Sequence, residues 1–234
     1  MRRHFLIRST GLLAAALCIL VLQATVSGAV ASNAATSKSG NATNASARPV
    51  ILVLGDSLSA EYGLQRGSGW VQLLANRLQQ SGSDYTVVNA SISGETTSGG
   101  RTRLPSLLKQ HRPAIVIIEL GGNDGLRGLP VARMQENLTA MVRASQAAGA
   151  RVVIAGMRIP PNYGREFTER FHQAFIDVAK QHNAALVPFL LEGFSDSTDF
   201  FQADRIHPSA QAQAKILQTV WPVLKPLLVA KAPQ

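Results

Sequence analysis

The side chains with the clearest chemical potential are a serine near the start of an apolar segment and an aspartate–histidine pair near the C-terminus. Ser57 follows the apolar run 50–54 and a Gly-Asp pair, at a point where a helix could begin. Asp204 and His207 are three residues apart, so one turn can carry both side chains. An imidazole can accept a serine proton, and a carboxylate can orient that imidazole and stabilise its cation. This combination predicts nucleophilic attack by Ser57, with His207 as the general base and Asp204 as its support.

Two further positions could stabilise an oxyanion. Gly94 follows the apolar segment 85–90, and Asn123 lies in a Gly-Gly-Asn-Asp sequence after the apolar segment 114–120. Backbone N–H groups and side-chain amides are suitable donors to the oxyanion of acyl transfer. Reactive groups in open α/β sheets collect at the carboxyl ends of parallel strands. We therefore expect the N–H groups of Ser57 and Gly94 and the amide of Asn123 to meet at one edge.

Each of these residues also has a purely structural interpretation. Serine is a favoured helix N-cap, Gly94 could be only a turn glycine, and Asn123 could form an Asx turn. Asp56 adjoins the serine, so it is interpreted as a turn-former or local acceptor rather than the acid of the triad. Asp124 is interpreted as structural.

The choice of histidine follows from its place along the chain. His111, His172 and His182 lie on predicted helices or at their ends, where a histidine has other uses. Only His207 follows the last predicted strand, and it has an aspartate one turn before it.

Four blocks, in order, resemble the SGNH (GDSL-type) hydrolase family, most closely its bacterial periplasmic thioesterase, lysophospholipase and arylesterase group. The blocks are Gly-Asp-Ser-Leu-Ser at 55–59, Gly94, Gly-Gly-Asn-Asp at 121–124, and Asp204 with His207. The segments 88–94, 107–111 and 119–128 add to the likeness, which covers roughly residues 49–225. The resemblance implies hydrolysis of aryl esters, acyl-CoA or lysophospholipids through an acyl-enzyme. It implies a Ser57–His207–Asp204 triad and no cofactor.

The resemblance also implies a substrate groove. Leu126, Ile159 and Pro160 would line it, and a mobile loop at 121–129 would close over an acyl chain. A carbohydrate O-deacetylase on the same scaffold is the alternative, and it would favour a shallow, polar groove. A non-catalytic binding domain would require a lost catalytic residue, and none is lost. The chain departs from the family pattern beside the groove at Glu61, Ile159 and Pro161.

The elements that must position these residues alternate between strand and helix. The apolar patterns predict strands at 50–54, 85–90, 114–120, 151–155 and 185–187. They predict helices at 69–80, 97–104, 105–111, 130–149, around 167–178 and from Pro208, with a Gly-rich loop at 121–129. This alternation predicts an α/β fold, a three-layer α/β/α sandwich with a five-stranded parallel sheet. The resemblance implies the flavodoxin-like strand order 2-1-3-4-5.

The N-terminal residues are predicted to lie outside this domain. A basic start, an apolar run at 11–22 and Ala-Val-Ala at 29–31 are typical of a signal peptide over residues 1–31. Residues 32–47 are Ser/Thr/Asn/Ala/Gly-rich, which predicts a flexible linker before a domain at 48–234. We therefore expect a periplasmic or secreted protein. The alternative is an anchor formed by an uncleaved leader, because small and apolar residues continue to Val30.

Composition narrows the remaining functions. A length of 234 residues fits one α/β domain, and the single cysteine, Cys18, precedes it. We expect no disulfide, no metal and no nucleic-acid partner, because the chain has neither metal-ligand spacing nor a basic stripe with interleaved aromatics. The net charge is +9, and residues after 31 carry 20 basic minus 14 acidic side chains, or +6. This charge could favour anionic lipid or acidic substrates, but the preferred interpretation is an ordinary soluble basic protein. We expect a monomer that contacts membrane lipid at most transiently.

Overall fold

A five-stranded parallel sheet forms the centre of the protein. The computed structural model describes residues 48–229. The strands are β1 Val50–Gly55, β2 Thr86–Asn89, β3 Ile115–Glu119, β4 Arg151–Ala155 and β5 Ala185–Val187. Their order is β2-β1-β3-β4-β5, which confirms the predicted topology. All four pairings are parallel, so every carboxyl end lies at the same edge.

Helices cover both faces of the sheet. They are α1 Trp70–Gln80, α2 Thr97–His111, α3 Gly122–Leu126, α4 Val131–Ala147, α5 Arg165–Gln181 and α6 Gln213–Val229. Helix α1 packs against α6, and α4 packs between α2 and α5. Right-handed crossovers that reverse direction at β1 place these two groups on opposite faces. The three-layer prediction is therefore confirmed.

The two central strands explain why the sequence pattern was readable. Residues 51–54 of β1 and 115–118 of β3 are fully buried. A strand covered by helices on both faces needs an unbroken apolar run rather than an alternating one. Trp70, Leu74 and Leu78 bury one stripe of α1 against this layer. The same packing fixes the direction in which β1 delivers Ser57.

Two element predictions around proline were wrong. We expected separate helices at 97–104 and 105–111, but α2 is continuous through Pro105. Proline removes one backbone hydrogen bond, and the buried side chains of Leu104 and Leu108 hold the helix on the core across it. We expected the last helix to begin at Pro208. A 3₁₀ turn at Ala210–Ala212 comes first, and α6 then continues through both of its prolines.

One prediction close to the site was also wrong, and one possibility is not realised. A helix could have begun at Ser57, but residues 57–63 form turns and α1 begins at Trp70, as the predicted helix at 69–80 required. The segment 121–129 was expected to be a loop, but it contains the short helix α3. The buried Asp124 carboxylate stabilises this helix by accepting hydrogen bonds from the N–H and Oγ1 of Thr97.

The predicted signal peptide, linker, anchor alternative and Cys18 lie outside the described residues, as do residues 230–234. These expectations, and the monomeric state, stay predictions. Within residues 48–229, no helix has the length and apolar character needed to span a membrane.

Candidate active site

Ser57, His207 and Asp204 form one continuous line of hydrogen bonds. The Ser57 Oγ lies 3.0 Å from the Nε2 of His207. The Nδ1 of His207 lies 2.6 Å from the Oδ2 of Asp204. An ionised carboxylate only accepts, so Nδ1 carries the hydrogen and Nε2 presents its lone pair to the serine hydroxyl. This is the tautomer in which the imidazole can take the serine proton.

The backbone around Asp204 keeps that carboxylate ionised. The N–H of His207 donates to Oδ1 at 3.0 Å, and the N–H of Ile206 donates to the same oxygen at 2.9 Å. The His207 backbone bond, with further help from the Ile206 N–H and the imidazole, lowers the pKa of Asp204 to about 2. Arg205 adopts a left-handed conformation with φ 58°, which makes the turn tight enough for these bonds. The predicted three-residue spacing therefore works through a turn, not through a helix.

Gln202 joins the histidine loop to the turn that carries Ser57. Its N–H donates to the carbonyl of His207 at 2.8 Å. Its Nε2 donates to the carbonyl of Tyr62 at 2.8 Å, across 140 residues of sequence. The Tyr62 ring lies 4.3 Å from the imidazole of His207, centroid to centroid. Neither Gln202 nor Tyr62 could be predicted from the sequence, because a contact between residues 140 positions apart leaves no pattern of spacing along the chain.

Asp56 holds the turn that carries Ser57. Its Oδ1 accepts the N–H of Leu58 at 3.0 Å, which confirms the local-acceptor interpretation. Its Oδ2 accepts from the Nδ2 of Asn123 at 3.1 Å. The side chain is nearly fully buried, and this burial raises the pKa of Asp56 to about 6. Asp56 thus links the turn to α3 rather than serving as the triad acid.

A second buried carboxyl lies directly beneath the turn. Glu119 is fully buried, and its Oε2 accepts from the Oγ of Ser59 at 2.6 Å and the N–H of Asp56 at 3.3 Å. Ser59 also accepts from the indole of Trp70 at 3.2 Å. A Cβ at Gly55 would lie 2.8 Å from the same Glu119 oxygen, so this strand end requires glycine. The role of Glu119 could not be predicted from the sequence, because it stands at the end of an apolar strand and its partner Ser59 lies 60 residues away.

Replacing Glu119 with glutamine should change how stability depends on pH. Burial, and then the nearby charge of Asp56, raise the pKa of Glu119 well above its usual 4.5. The folded state therefore holds this proton at pH values where the unfolded chain has released it. The stability of the parent protein should decline as pH rises above that usual value. Glu119→Gln cannot titrate at this site and should lack this part of the decline.

Urea unfolding of both proteins at a series of pH values tests this expectation. The free energy of unfolding of the parent, minus that of Glu119→Gln, should fall steadily with rising pH. Because Asp56 is present in both proteins, its own titration largely cancels in the difference. Parallel curves would show that Glu119 ionises normally in the folded protein.

The three predicted oxyanion donors differ in their present hydrogen bonding. Among residues 48–229, the N–H groups of Ser57 and Gly94 have no protein acceptor. The Nδ2 of Asn123 donates to Asp56 and, at 3.0 Å, to the carbonyl of Glu95. Both amide hydrogens are therefore engaged. These two acceptors, Asp56 and Glu95, nevertheless orient the NH₂ end of the Asn123 side chain toward the turn that carries Ser57. The bond to Glu95 also keeps this NH₂ group beside Gly94.

The predicted groove residues occupy different environments. Ile159 is buried, and its Cγ2 lies only 2.7 Å from where a Cβ at Gly125 would be. Leu126 is half-buried, and its carbonyl accepts from the hydroxyl of Tyr163 at 2.9 Å. Pro160 is exposed. Ile159 thus lies beneath α3, while Leu126 and Pro160 reach the surface.

Arg127 connects the segment after α3 to the loop after β2. Its Nη2 donates to the carbonyl of Gly94 at 3.0 Å. Together with the Asn123 bond to Glu95, this contact brings the loops after β2 and β3 together beside Ser57. No group of three or more potential metal ligands of the His, Cys, Asp or Glu type occurs within 48–229.

Comparisons with known proteins give a consistent result. Residues 53–215 match the model of the GDSL-like Lipase/Acylhydrolase family. Esterase TesA of Pseudomonas aeruginosa is 52% identical over 186 residues, which cover 80% of this chain and 92% of the relative. Arylesterase of Vibrio mimicus is 43% identical over 170 residues, 73% of this chain and 85% of the relative.

Thioesterase 1/protease 1/lysophospholipase L1 of Escherichia coli K12 is 41% identical over 184 residues, 79% of this chain and 87% of the relative. The crystal structure of TesA superposes with a TM-score of 0.75 at 52% identity, covering 76% of this chain and 99% of that one. That solved chain is close to the length of the domain described above. It therefore supports expressing residues 48–234 alone for the experiments below.

Proposed function

Because the chain belongs to the GDSL-like lipase/acylhydrolase family, we propose that it hydrolyses carboxylic esters and thioesters with Ser57 as its nucleophile. One observation carries the proposal: the Ser57 Oγ lies 3.0 Å from an imidazole whose other nitrogen is bound to an ionised carboxylate. The names of the relatives, which include esterase, arylesterase, thioesterase and lysophospholipase, support the same reaction class.

The reaction proceeds in two halves. In the first, Ser57 Oγ attacks the carbonyl carbon while its proton moves to the Nε2 of His207. The carbon–oxygen or carbon–sulfur bond then breaks, and the departing alkoxide or thiolate takes the proton from Nε2. In the second half, water loses a proton to Nε2 and attacks the acyl carbon. The bond from that carbon to Ser57 Oγ then breaks, Oγ takes the proton back from Nε2, and the acid is released. Asp204 keeps the imidazole oriented and stabilises its cation throughout.

The oxyanion receives hydrogen bonds from the N–H of Ser57, the N–H of Gly94 and the Nδ2 of Asn123. The two backbone donors are available in the resting protein, which supports their role. The side-chain amide of Asn123 must redirect or share one of its two hydrogens to reach the oxyanion. The hydrogen now donated to the carbonyl of Glu95 is the better placed one, because Glu95 adjoins Gly94 in the chain. The bond to Asp56 would then hold the amide in place during the reaction.

Replacing Asn123 with alanine should lower kcat by about 10²–10³-fold, because one of three oxyanion donors is lost. KM should change much less, since the oxyanion forms only after binding. Steady-state kinetics with an aryl ester, together with a thermal melt, measures this. Asn76→Ala, at an exposed position on α1, is the matched control. A loss below about tenfold would remove Asn123 from the oxyanion site.

We propose that all three predicted groove residues shape the acyl site, Leu126 and Pro160 by direct contact and Ile159 from beneath α3. Leu126 and Pro160 reach the surface after β3 and β4, and Ile159 supports α3 from below. Ile159 would act on chain length through the position of α3.

A panel of substrates tests the proposed function. Purified residues 48–234 would be assayed with short- and long-chain aryl esters, acyl-CoA, lysophospholipid and an O-acetylated sugar. Hydrolysis of the first three classes supports the proposal, and their relative rates assign the preferred acyl chain. Activity confined to the acetylated sugar would establish the carbohydrate deacetylase instead.

A further inference from the structure

The large apolar side chains that are exposed follow a simple rule in the described part of the chain. Five such side chains are between 37% and 49% exposed, and one follows each strand of the sheet. They are Tyr62 after β1, Ile92 after β2, Leu129 after β3, Tyr163 after β4 and Ile206 after β5. We call these five side chains the apolar rim. Because the strands are parallel, the rim lies at the edge of the sheet that carries Ser57.

Contacts place two rim members against the catalytic groups. The ring of Tyr62 lies 4.3 Å from that of His207. Ile206 is the residue immediately before His207, and its backbone binds Asp204. On this side, the rim therefore begins at the imidazole itself.

The other three members lie in the loops after β2, β3 and β4, which hydrogen bonds connect to one another. Ile92 lies two residues before Gly94, and Leu129 lies two residues after Arg127. Arg127 donates a hydrogen bond to the carbonyl of Gly94, which connects the two loops. The hydroxyl of Tyr163 binds the carbonyl of Leu126 in the same segment. The rim thus includes one side chain after every strand at the edge that carries Ser57. Single exposed apolar residues are ordinary, but their concentration at one functional edge is not.

Exposed guanidinium groups share this edge. Four strands are followed by an exposed arginine: Arg66 after β1, Arg127 after β3, Arg158 after β4 and Arg205 after β5. Five acids of the loops at this edge bind groups within the protein: Asp56, Glu61, Glu95, Asp124 and Asp204. The last loop holds three more exposed acids, Glu192, Asp196 and Asp199. They precede Phe201 in the chain, whereas Arg205 and Ile206 lie between Phe201 and Pro208, which pair in an isolated β-bridge. Apolar tips among exposed guanidiniums are complementary to an anionic lipid interface.

We propose that the apolar rim rests on the surface of a phospholipid aggregate, so that a lipid ester reaches Ser57 directly. The four exposed arginines that share this edge would contact headgroup phosphates. The proposal rests on the proposed function for its substrate, but the docking geometry does not depend on catalysis. A protein partner or a second copy seated on the rim would cover Ser57. A lipid surface covers the same residues but supplies an ester to Ser57, so this occupant is compatible with turnover.

Vesicle binding tests the proposal without catalysis. Residues 48–234 carrying Ser57→Ala would be sedimented with vesicles of phosphatidylcholine, with and without phosphatidylglycerol. Binding should be stronger with the anionic lipid and should weaken with salt. Adding Ile92→Ser and Leu129→Ser should reduce partitioning by about tenfold or more, because two apolar tips are lost. Arg66→Ser with Arg158→Ser should remove most of the preference for anionic lipid. Arg133→Ser with Arg143→Ser, at exposed positions on α4, is the matched control.

Activity measurements separate this proposal from the proposed function. With Ser57 intact, the Ile92/Leu129 double variant should keep its rate on a soluble short-chain ester. Its rate on micellar lysophospholipid should fall about tenfold. Active enzyme that binds no vesicles, or binds them equally after the rim substitutions, overturns the rim while the hydrolase assignment stands. Lipid-free self-association that the rim substitutions abolish also overturns it, since a second copy would then be the occupant.

Discussion

Ser57→Ala is expected to lower kcat for ester hydrolysis by about 10⁴–10⁶-fold, with a much smaller change in KM. The reason is that no other hydroxyl takes its place. The Oγ of Ser59, two residues later, binds Glu119 and Trp70 rather than His207. Steady-state kinetics on an aryl ester, with the protein purified away from any host esterase, measures the loss.

Ser59→Ala is the matched control for this variant. It leaves the nucleophile in place but deprives the buried Glu119 and Trp70 of a shared partner. An unsatisfied buried polar group costs about 1–3 kcal/mol, so Ser59→Ala should lower the melting temperature and affect kcat far less. A Ser57→Ala protein that keeps more than about a hundredth of the parent rate would contradict the assignment.

Asp204→Asn should reduce kcat by about 10⁴-fold, because it imposes the wrong tautomer on His207. Oδ1 of Asp204 accepts two backbone N–H groups, so the oxygen of an asparagine would take that place. The NH₂ group would then face Nδ1, where the carboxylate oxygen lies now at 2.6 Å. It would donate to Nδ1 and move the ring hydrogen to Nε2. An Nε2–H imidazole cannot accept the proton of Ser57.

The pH dependence of kcat/KM provides a second measure of this effect. Since the pKa of Asp204 is lowered to about 2, the carboxylate stays charged at every pH at which the folded protein can be assayed. The parent profile should therefore show no loss from protonation of Asp204. Asp199→Asn, an exposed acid of the same loop, should leave kcat essentially unchanged. An Asp204→Asn enzyme within about tenfold of the parent would show that the aspartate does not set the tautomer.

The sequence alone was sufficient to locate the strands of the sheet and to select Ser57, His207 and Asp204, which the folded protein joins by hydrogen bonds. A doubly covered parallel strand requires an unbroken apolar run, so β1 and β3 could be located directly. Asp204 and His207 act within a single tight turn, and a contact of that range leaves a readable spacing. Ser57 was located by the strand before it. The resemblance to a known family added the strand order, and it favoured the nucleophile interpretation of Ser57 over that of a helix N-cap.

The boundaries of the elements near the site depended on packing. Pro105 argued for two helices, but buried neighbours held one helix across it. The glycines at 121–125 argued for a loop, but the carboxylate of Asp124 found Thr97 and stabilised a helical turn. In each case a tertiary contact outweighed the local preference of the backbone.

The supports of the site were decided by the tertiary structure alone. Gln202 reaches Tyr62 across 140 residues, and Glu119 reaches Ser59 across 60. Neither pair has a pattern along the chain, because the sheet brings its members together only after all its strands are in place. The sequence therefore determined which residues can carry the chemistry and which strand each of them follows. The folded protein decided how they are held, since the buried carboxyl beneath the turn and the link between the two loops exist only in three dimensions.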